Sequence, residues 1–158
     1  MSYHLHFRAV PEGDVRDDLA WLESFMSAAW DDHPAEYRAG LATSIEKDFG
    51  LVDQLYATAG CVDRELPVYG GRPVEYPDGD RPPFLVLPPD QVRSAADFLA
   101  GASFEALWET AGDKIRAVFA GWDEAVVKEI LLGHHRDLCA FYRRTASAGH
   151  AVVKAAWF

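Results

Sequence analysis

The sequence has no asparagine, few cysteines and no long apolar run. Its two cysteines, Cys61 and Cys139, are not in C-x-x-C spacing. Two thiols are too few for a disulfide framework, so we expect both to be free in a reducing compartment. No apolar run approaches the roughly 20 residues that span a bilayer, and the first residues lack the basic and then apolar pattern of a signal peptide. We therefore expect a cytoplasmic protein that does not bind membranes.

Basic residues are also scarce. The chain has 15 lysines and arginines against 25 acidic residues, a net charge of −10. Residues 1–65 carry 13 acids and 5 bases, whereas residues 66–158 carry 12 and 10. Nucleic acids and anionic membranes are bound through basic surfaces, so this balance argues against both. It favours a basic protein partner, or else an acidic surface that only keeps the protein soluble.

The residues that are present indicate one globular domain over 1–158. The chain is 49% hydrophobic and 13% aromatic, enough for a core without disulfides. Alternation over Tyr3–Arg8 predicts a strand with one buried face. Phe84–Leu87 and the tail from His150 to Phe158 are short apolar runs that predict strands well inside a sheet.

Three- and four-residue spacing of apolar positions predicts helices between these strands. The first should run from Asp14 to about Trp30, with a break and a new short helix at Pro34. Other helices should start at the capping-box segment Thr43–Glu46, at Pro89, after Ser103 with an interruption near Gly112, and after Asp123, the last ending at Gly149. Residues 66–83 are predicted to be a loop. This order predicts a compact, helix-rich α+β domain with a small mixed sheet flanked by helices.

The order of several short segments resembles the bacterial YfbM-like family, a domain of unknown function (1877). The matching segments are Ile45–Phe49, Tyr69–Arg72, Phe84–Val92, Trp122–Glu124, Phe141–Tyr142 and Gly149–Val152. The resemblance covers most of the chain, although Phe49 stands where the family usually has tryptophan. It implies a compact domain with a mixed sheet flanked by helices. It implies no activity, cofactor or catalytic residue.

Motifs that would indicate an enzyme class are missing from the sequence. There is no phosphate-binding P-loop, no dinucleotide fingerprint, no H-E-x-x-H and no G-x-S-x-G. The segment Tyr69-Gly70-Gly71-Arg72 offers backbone amides and a guanidinium to an anion. The alternative is that the glycine pair only permits a turn.

The histidines are the remaining candidates. His4 and His6 lie on one strand face and would share a metal if His150, on a neighbouring strand, supplied a third ligand. The alternative is that this face packs under a helix. His134 with Asp137 has the residue types of an oriented general base, or it is a hydrogen-bonded core histidine. We expect neither a metal nor another cofactor.

Two functional hypotheses follow. In the first, the chain is a non-enzymatic domain that binds another protein through an acidic helical face. That face comprises Asp17, Asp18, Asp31 and Asp32. In the second, a cleft binds or hydrolyses a small molecule. Its residues would be Tyr69, Gly70, Gly71, Arg72, His4, His6 and His134. The second hypothesis requires that the fold bring these residues together.

Overall fold

The computed structural model describes residues 3–157, so the predicted strand end at Phe158 lies outside the described residues. Five strands form one sheet in the order β2-β1-β5-β4-β3. The strands are β1 (His4–Val10), β2 (Ala42–Ile45), β3 (Arg72–Val74), β4 (Phe84–Leu87) and β5 (Ala151–Trp157). The helices are α1 (Leu19–Ala39), α2 (Phe49–Ala57), α3 (Pro89–Gly101), α4 (Phe104–Val118) and α5 (Glu124–Ser147). Two 3₁₀ turns lie at Glu12–Asp14 and Val62–Glu65.

The α+β class is confirmed, but the sheet is antiparallel and not mixed. All four strand pairs in the described chain run antiparallel. The last strand enters between β1 and β4 and is antiparallel to each of them. Strand direction depends on how the connections return to the sheet, and apolar spacing alone does not encode it.

The two faces of the sheet are covered unequally. On one face, Leu5, Phe7 and Val152 pack with α2–α5 in the larger core. On the other, Val10 and Val153 pack mainly with α1 in a smaller core. The prediction that β1 has one buried face is therefore wrong, because α1 covers the second face. The prediction that the C-terminal strand is buried is confirmed.

Helix α1 begins later than predicted and continues past Pro34. The carboxylate of Asp18 accepts a hydrogen bond from the Trp21 amide, 2.8 Å away, so the first turn starts at Leu19. Proline at position 34 leaves the Trp30 carbonyl without its usual amide donor. The His33 ring donates from Nδ1 to that carbonyl. The predicted break is therefore wrong, because the neighbouring side chain replaces the missing donor.

Three further local predictions are corrected by tertiary packing. The segment Thr43–Glu46 does not start a helix, because Ala42–Ile45 pairs with β1 as an edge strand and buries its two ends. Helix α4 continues through Gly112, which is buried in the core-facing side of the helix. The predicted loop contains β3, whose Pro73 is tolerated because this strand lies at the sheet edge.

The remaining helix ends follow the sequence. Helix α3 starts at Pro89, as predicted. Ser103 Oγ accepts from the Ala106 amide at 3.3 Å, and Asp123 accepts from the Ala125 amide at 2.8 Å. Gly149 has φ +68°, the left-handed conformation expected after α5.

Candidate functional site

The predicted glycine loop is fixed to the core by a buried lysine. Lys154 on β5 is completely buried, and its Nζ donates to the carbonyls of Leu66 (2.6 Å), Val68 (2.9 Å) and Gly70 (2.9 Å). Three acceptors match the three N–H groups of an ammonium ion. Burial lowers the pKa of Lys154 well below its ordinary value, and the nearby Asp53 carboxylate partly opposes this shift. In the sequence, the signal for this role is a single charged residue, Lys154, inside the otherwise apolar strand β5.

Both glycines of this loop serve the backbone turn. A β-carbon at Gly70 would lie 2.5 Å from Leu66 Cα, and Gly71 has φ +120°. The Arg72 side chain forms an ion pair with Asp17. The loop therefore directs its carbonyls to Lys154. The Arg72 guanidinium, which was the predicted anion ligand, already has the Asp17 carboxylate as a partner.

His6 is buried under α1 and stacked on an indole. Its ring lies 3.9 Å from that of Trp157, and Nδ1 is 3.1 Å from the Tyr37 hydroxyl. Its Nε2 has no hydrogen-bond partner in the described chain. Burial, with smaller contributions from the nearby charges of His33 and Arg8, lowers the pKa of His6 to about 3.

The metal hypothesis depended on His150 approaching His4, and the sheet register separates them. Strand β5 lies beside β1, but His4 pairs with Trp157 while the residue after His150, Ala151, pairs with Val10. His150 is therefore at the far end of the strand pair. Among residues 3–157, no three histidine, cysteine or acidic side chains converge in a way that would hold a metal ion.

Helix α5 carries two adjacent histidines, and the one that we did not single out is buried. His134 is half-buried and faces Asp48, whose carboxylate lies 3.8 Å from Nε2. His135 is 7% exposed, with Nδ1 2.9 Å from the Tyr56 hydroxyl and Nε2 3.5 Å from Cys139 Sγ. Burial lowers the pKa of His135 and raises the pKa of Tyr56 and of Cys139. The thiol is thus not activated as a nucleophile.

The structure does not bring the residues of the small-molecule hypothesis into one cleft. His6 faces α1, whereas His134 lies on α5 across the sheet, next to the start of α2. The glycine loop precedes the edge strand β3. A site that combined the loop with both histidines would have to cross the sheet.

The four aspartates of the predicted acidic face have different environments. Asp18 caps α1, and Asp17 pairs with Arg72. Asp32 lies 3.5 Å from Arg8, which binds Glu36 more closely at 2.6 Å. Asp31 is exposed and forms no ion pair with the residues that the structure describes. Only part of the acidic face is therefore open to a partner.

A cleft of about 760 Å³ opens where α1 leaves the sheet uncovered. We call it the tryptophan cleft. Its lining residues are Glu23, Met26, Ser27, Trp30, Tyr76, Arg81, Pro82, Phe84, Ala155, Ala156 and Trp157. On one side, the Trp30 and Trp157 rings meet edge to face at 5.1 Å. On the other, Arg81 lies 3.6 Å above the Tyr76 ring and 3.3 Å from the Glu23 carboxylate.

Comparison with known proteins identifies the family. A family model described as a domain of unknown function, DUF1877, matches residues 1–154. The chain belongs to the DUF1877 family. The solved structure of YfbM from Escherichia coli, titled a protein of unknown function, matches with a TM-score of 0.64 at 13% identity. The match covers 98% of this chain and 99% of that one. It shows a shared fold alone, and no curated protein matches this chain.

The tryptophan cleft of this DUF1877 domain is suited to binding. Its volume is within the range of about 300–1,000 Å³ that is usual for ligand sites. Glu23 and Arg81 form an ion pair at the cleft, so their charges neutralise each other. The aromatic walls and the floor of Ala155 and Phe84 offer apolar contact area. In the described residues, no helix combines the length and apolarity needed to cross a membrane.

Proposed function

We propose that this DUF1877 domain is a non-enzymatic binding module that uses α1 and the tryptophan cleft to contact a basic segment of another protein. The observation that carries the proposal is Trp30, a tryptophan 56% exposed on the rim of a cleft of about 760 Å³. Tryptophans in such positions are typical anchors of protein interfaces. The proposal includes the cytoplasmic location that the sequence favours.

The shape of the cleft fits an extended segment. Glu23, Met26, Ser27 and Trp30 line it from α1, a length of two helical turns or about 10 Å. About three extended residues span that distance. One apolar side chain of the partner would rest on Ala155 between the aromatic walls, and its neighbours would lie along α1.

The charge beside the cleft favours a basic partner. Asp31 follows Trp30 and has no ion-pair partner in the described chain. The Asp32 carboxylate lies 3.5 Å from the Arg8 guanidinium, which makes a closer pair with Glu36. Asp17 and Asp18, by contrast, already have structural roles. In this proposal, Asp31 and Asp32 attract lysine or arginine side chains that flank the apolar anchor.

Peptide binding tests the proposal. The probes are short synthetic peptides of lysine and serine with one central leucine, phenylalanine or methionine, measured by calorimetry. We expect saturable binding that weakens with added salt, since exposed charges are screened within about 8–10 Å at physiological ionic strength. Replacing the lysines with glutamates should abolish binding, and replacing the central residue with serine should weaken it.

Matched tryptophan variants locate the site. Trp30→Ala should weaken peptide binding by about tenfold or more, as expected for an interface anchor. Trp122 is 58% exposed and packs on Phe119 at the start of α5, outside the cleft, so Trp122→Ala is the control. Equal affinity in the wild type and Trp30→Ala, or no binding by any peptide of the series, would contradict the proposal.

A further inference from the structure

A second cleft points to a different kind of ligand. We propose that the space between the end of α1, strand β2 and the end of α5 binds the phosphate group of a small phosphorylated molecule. This space of about 510 Å³, the arginine cleft, is lined by Tyr37, Arg38, Ala39, Gly40, Ala42, Thr43, Ser44, Asp137, Ala140, Phe141, Arg143 and Arg144. It is independent of the tryptophan cleft.

Three arginines without an ion-pair partner in the described chain line this cleft. Five arginines elsewhere in the chain make ion pairs: Arg8, Arg72, Arg81, Arg116 and Arg136. Arg38, Arg143 and Arg144 make neither an ion pair nor a side-chain hydrogen bond with the residues that the structure describes. In a protein of net charge −10, three such groups on one cleft mark a local positive site.

The backbone positions one of these arginines closely. Gly40 ends α1 with φ +71°, and a β-carbon there would lie 2.7 Å from Arg144 Cδ and 3.2 Å from its Nε. The absence of a side chain at Gly40 lets Arg144 lie against the turn into β2. Packing of this kind reduces the rotamer freedom that a ligand would otherwise have to restrict.

Three residues with hydroxyl groups are also among those that line the cleft. Thr43 and Ser44 line the cleft from the edge strand β2. The Tyr37 hydroxyl is held 3.1 Å from His6 Nδ1 beneath α1. Asp137 is the single carboxylate among the lining residues, so its charge offsets one of the three guanidinium charges and leaves a net charge of +2.

The donors and the size of the cleft together indicate the ligand class. The two parallel N–H groups of a guanidinium bind two oxygens of a phosphate at once. Three guanidinium groups therefore offer enough donors and positive charge for a phosphate dianion. A bare oxyanion is much smaller than 510 Å³, so room remains beside Phe141 and Ala140 for the organic part of the ligand. The chemistry therefore fits a phosphate monoester.

Calorimetric titration with glucose 6-phosphate, inorganic phosphate and glucose tests the site. We expect saturable binding of the sugar phosphate, weaker binding of inorganic phosphate and none of glucose. Equal affinity for the two phosphates would still support the anion site and would assign the free ion as its ligand. Binding of glucose, or of neither phosphate, would overturn the proposal.

Single substitutions assign the binding to this cleft. Arg38→Gln and Arg143→Gln alter exposed side chains that have no partner to lose, so both variants should fold. Each should weaken sugar phosphate binding by about tenfold or more, the loss of one charge-assisted contact. Arg93 on α3 is exposed and also unpaired in the described chain, so Arg93→Gln is the matched control. Equal weakening by Arg93→Gln would show that net charge alone attracts the anion, and would contradict the proposal.

Discussion

Lys154 connects the loop between α2 and β3 to the core. An isolated buried ammonium is costly, but here its three N–H groups donate hydrogen bonds to three carbonyls of one loop. The Tyr142 hydroxyl donates to the Pro67 carbonyl of the same loop at 3.0 Å. The loop between α2 and β3 is therefore organised by polar groups of the core.

Replacing this lysine should destabilise the protein strongly. Lys154→Met keeps most of the apolar volume but removes the side-chain donor of the Val68 and Gly70 carbonyls, at about 1–3 kcal/mol each, and leaves the Leu66 carbonyl with only the longer bond from Tyr142. We expect the free energy of unfolding in urea to fall by about 3 kcal/mol or more. Lys128→Met is the control, because its pair with Glu105 is partly exposed and worth at most about 1 kcal/mol. Similar losses in both variants would show that the carbonyl contacts contribute little.

His6 should make the stability depend on pH. Its pKa in the folded chain is about 3, below the ordinary value of 6.5, chiefly because of burial. Between these values the unfolded chain takes up a proton that the folded chain excludes, so folding stability falls as pH drops from 6.5 towards 3. One unit of pKa difference corresponds to about 1.4 kcal/mol.

A non-titrating ring at this position should reduce that dependence. His6→Phe keeps an aromatic surface against Trp157 and loses the bond to Tyr37. Between about pH 7.5 and 4.5, its unfolding free energy should fall by roughly 2–3 kcal/mol less than that of the wild type. Urea titrations at the two pH values measure the difference. Parallel losses in both proteins would show that His6 titrates normally.

Among the helices and strands, the end of α5 offers a test of backbone conformation. Gly149 has φ +68° with open space around an added β-carbon, so only conformational strain opposes alanine there. Gly149→Ala should cost about 1 kcal/mol or more. Gly133 also has open space but lies in the middle of α5, where alanine should stabilise by about 0.5–1 kcal/mol. Denaturation midpoints that shift in the same direction would contradict this account.

Elements whose signals are local could be predicted from the sequence. The start of α3, the caps of α4 and α5 and the glycine after α5 depend on a few neighbouring residues. The segment at Thr43 could not be predicted, because pairing with β1 outweighs its capping-box pattern. Pro34 predicted a helix break that does not occur. The His33 ring supplies the hydrogen bond to the Trp30 carbonyl that proline cannot donate.

The candidate sites were less predictable than the fold. The tryptophan cleft joins Trp30 near the N-terminus with Trp157 near the C-terminus, and the residues between them give no indication that the two rings meet. The arginine cleft likewise needs α1 and α5 to converge on β2. Sequence reasoning selected His134 because it lies on the predicted apolar stripe, whereas the helix buries His135 together with Leu131 and Leu138.

For the whole molecule, unequal covering of the sheet is the feature that produces the tryptophan cleft. Helices α2–α5 pack on one face, while α1 covers most of the other and leaves a cleft beside Ala156 and Trp157 at the end of β5. The exposed rim of that gap carries an aromatic pair and acidic side chains. We therefore expect partner binding to be localised at α1 and to leave the larger core unchanged.

The indole resonances test this expectation most directly. Each of the five tryptophans gives its own indole N–H signal in a ¹⁵N–¹H correlation spectrum. On titration with the lysine-rich peptide that carries a central leucine, the signals of Trp30 and Trp157 should shift together and saturate, while those of Trp108 and Trp122 should stay in place. Shifts confined to Trp122, or an unchanged Trp30 signal at peptide concentrations that bind, would contradict the assignment of the site to the tryptophan cleft.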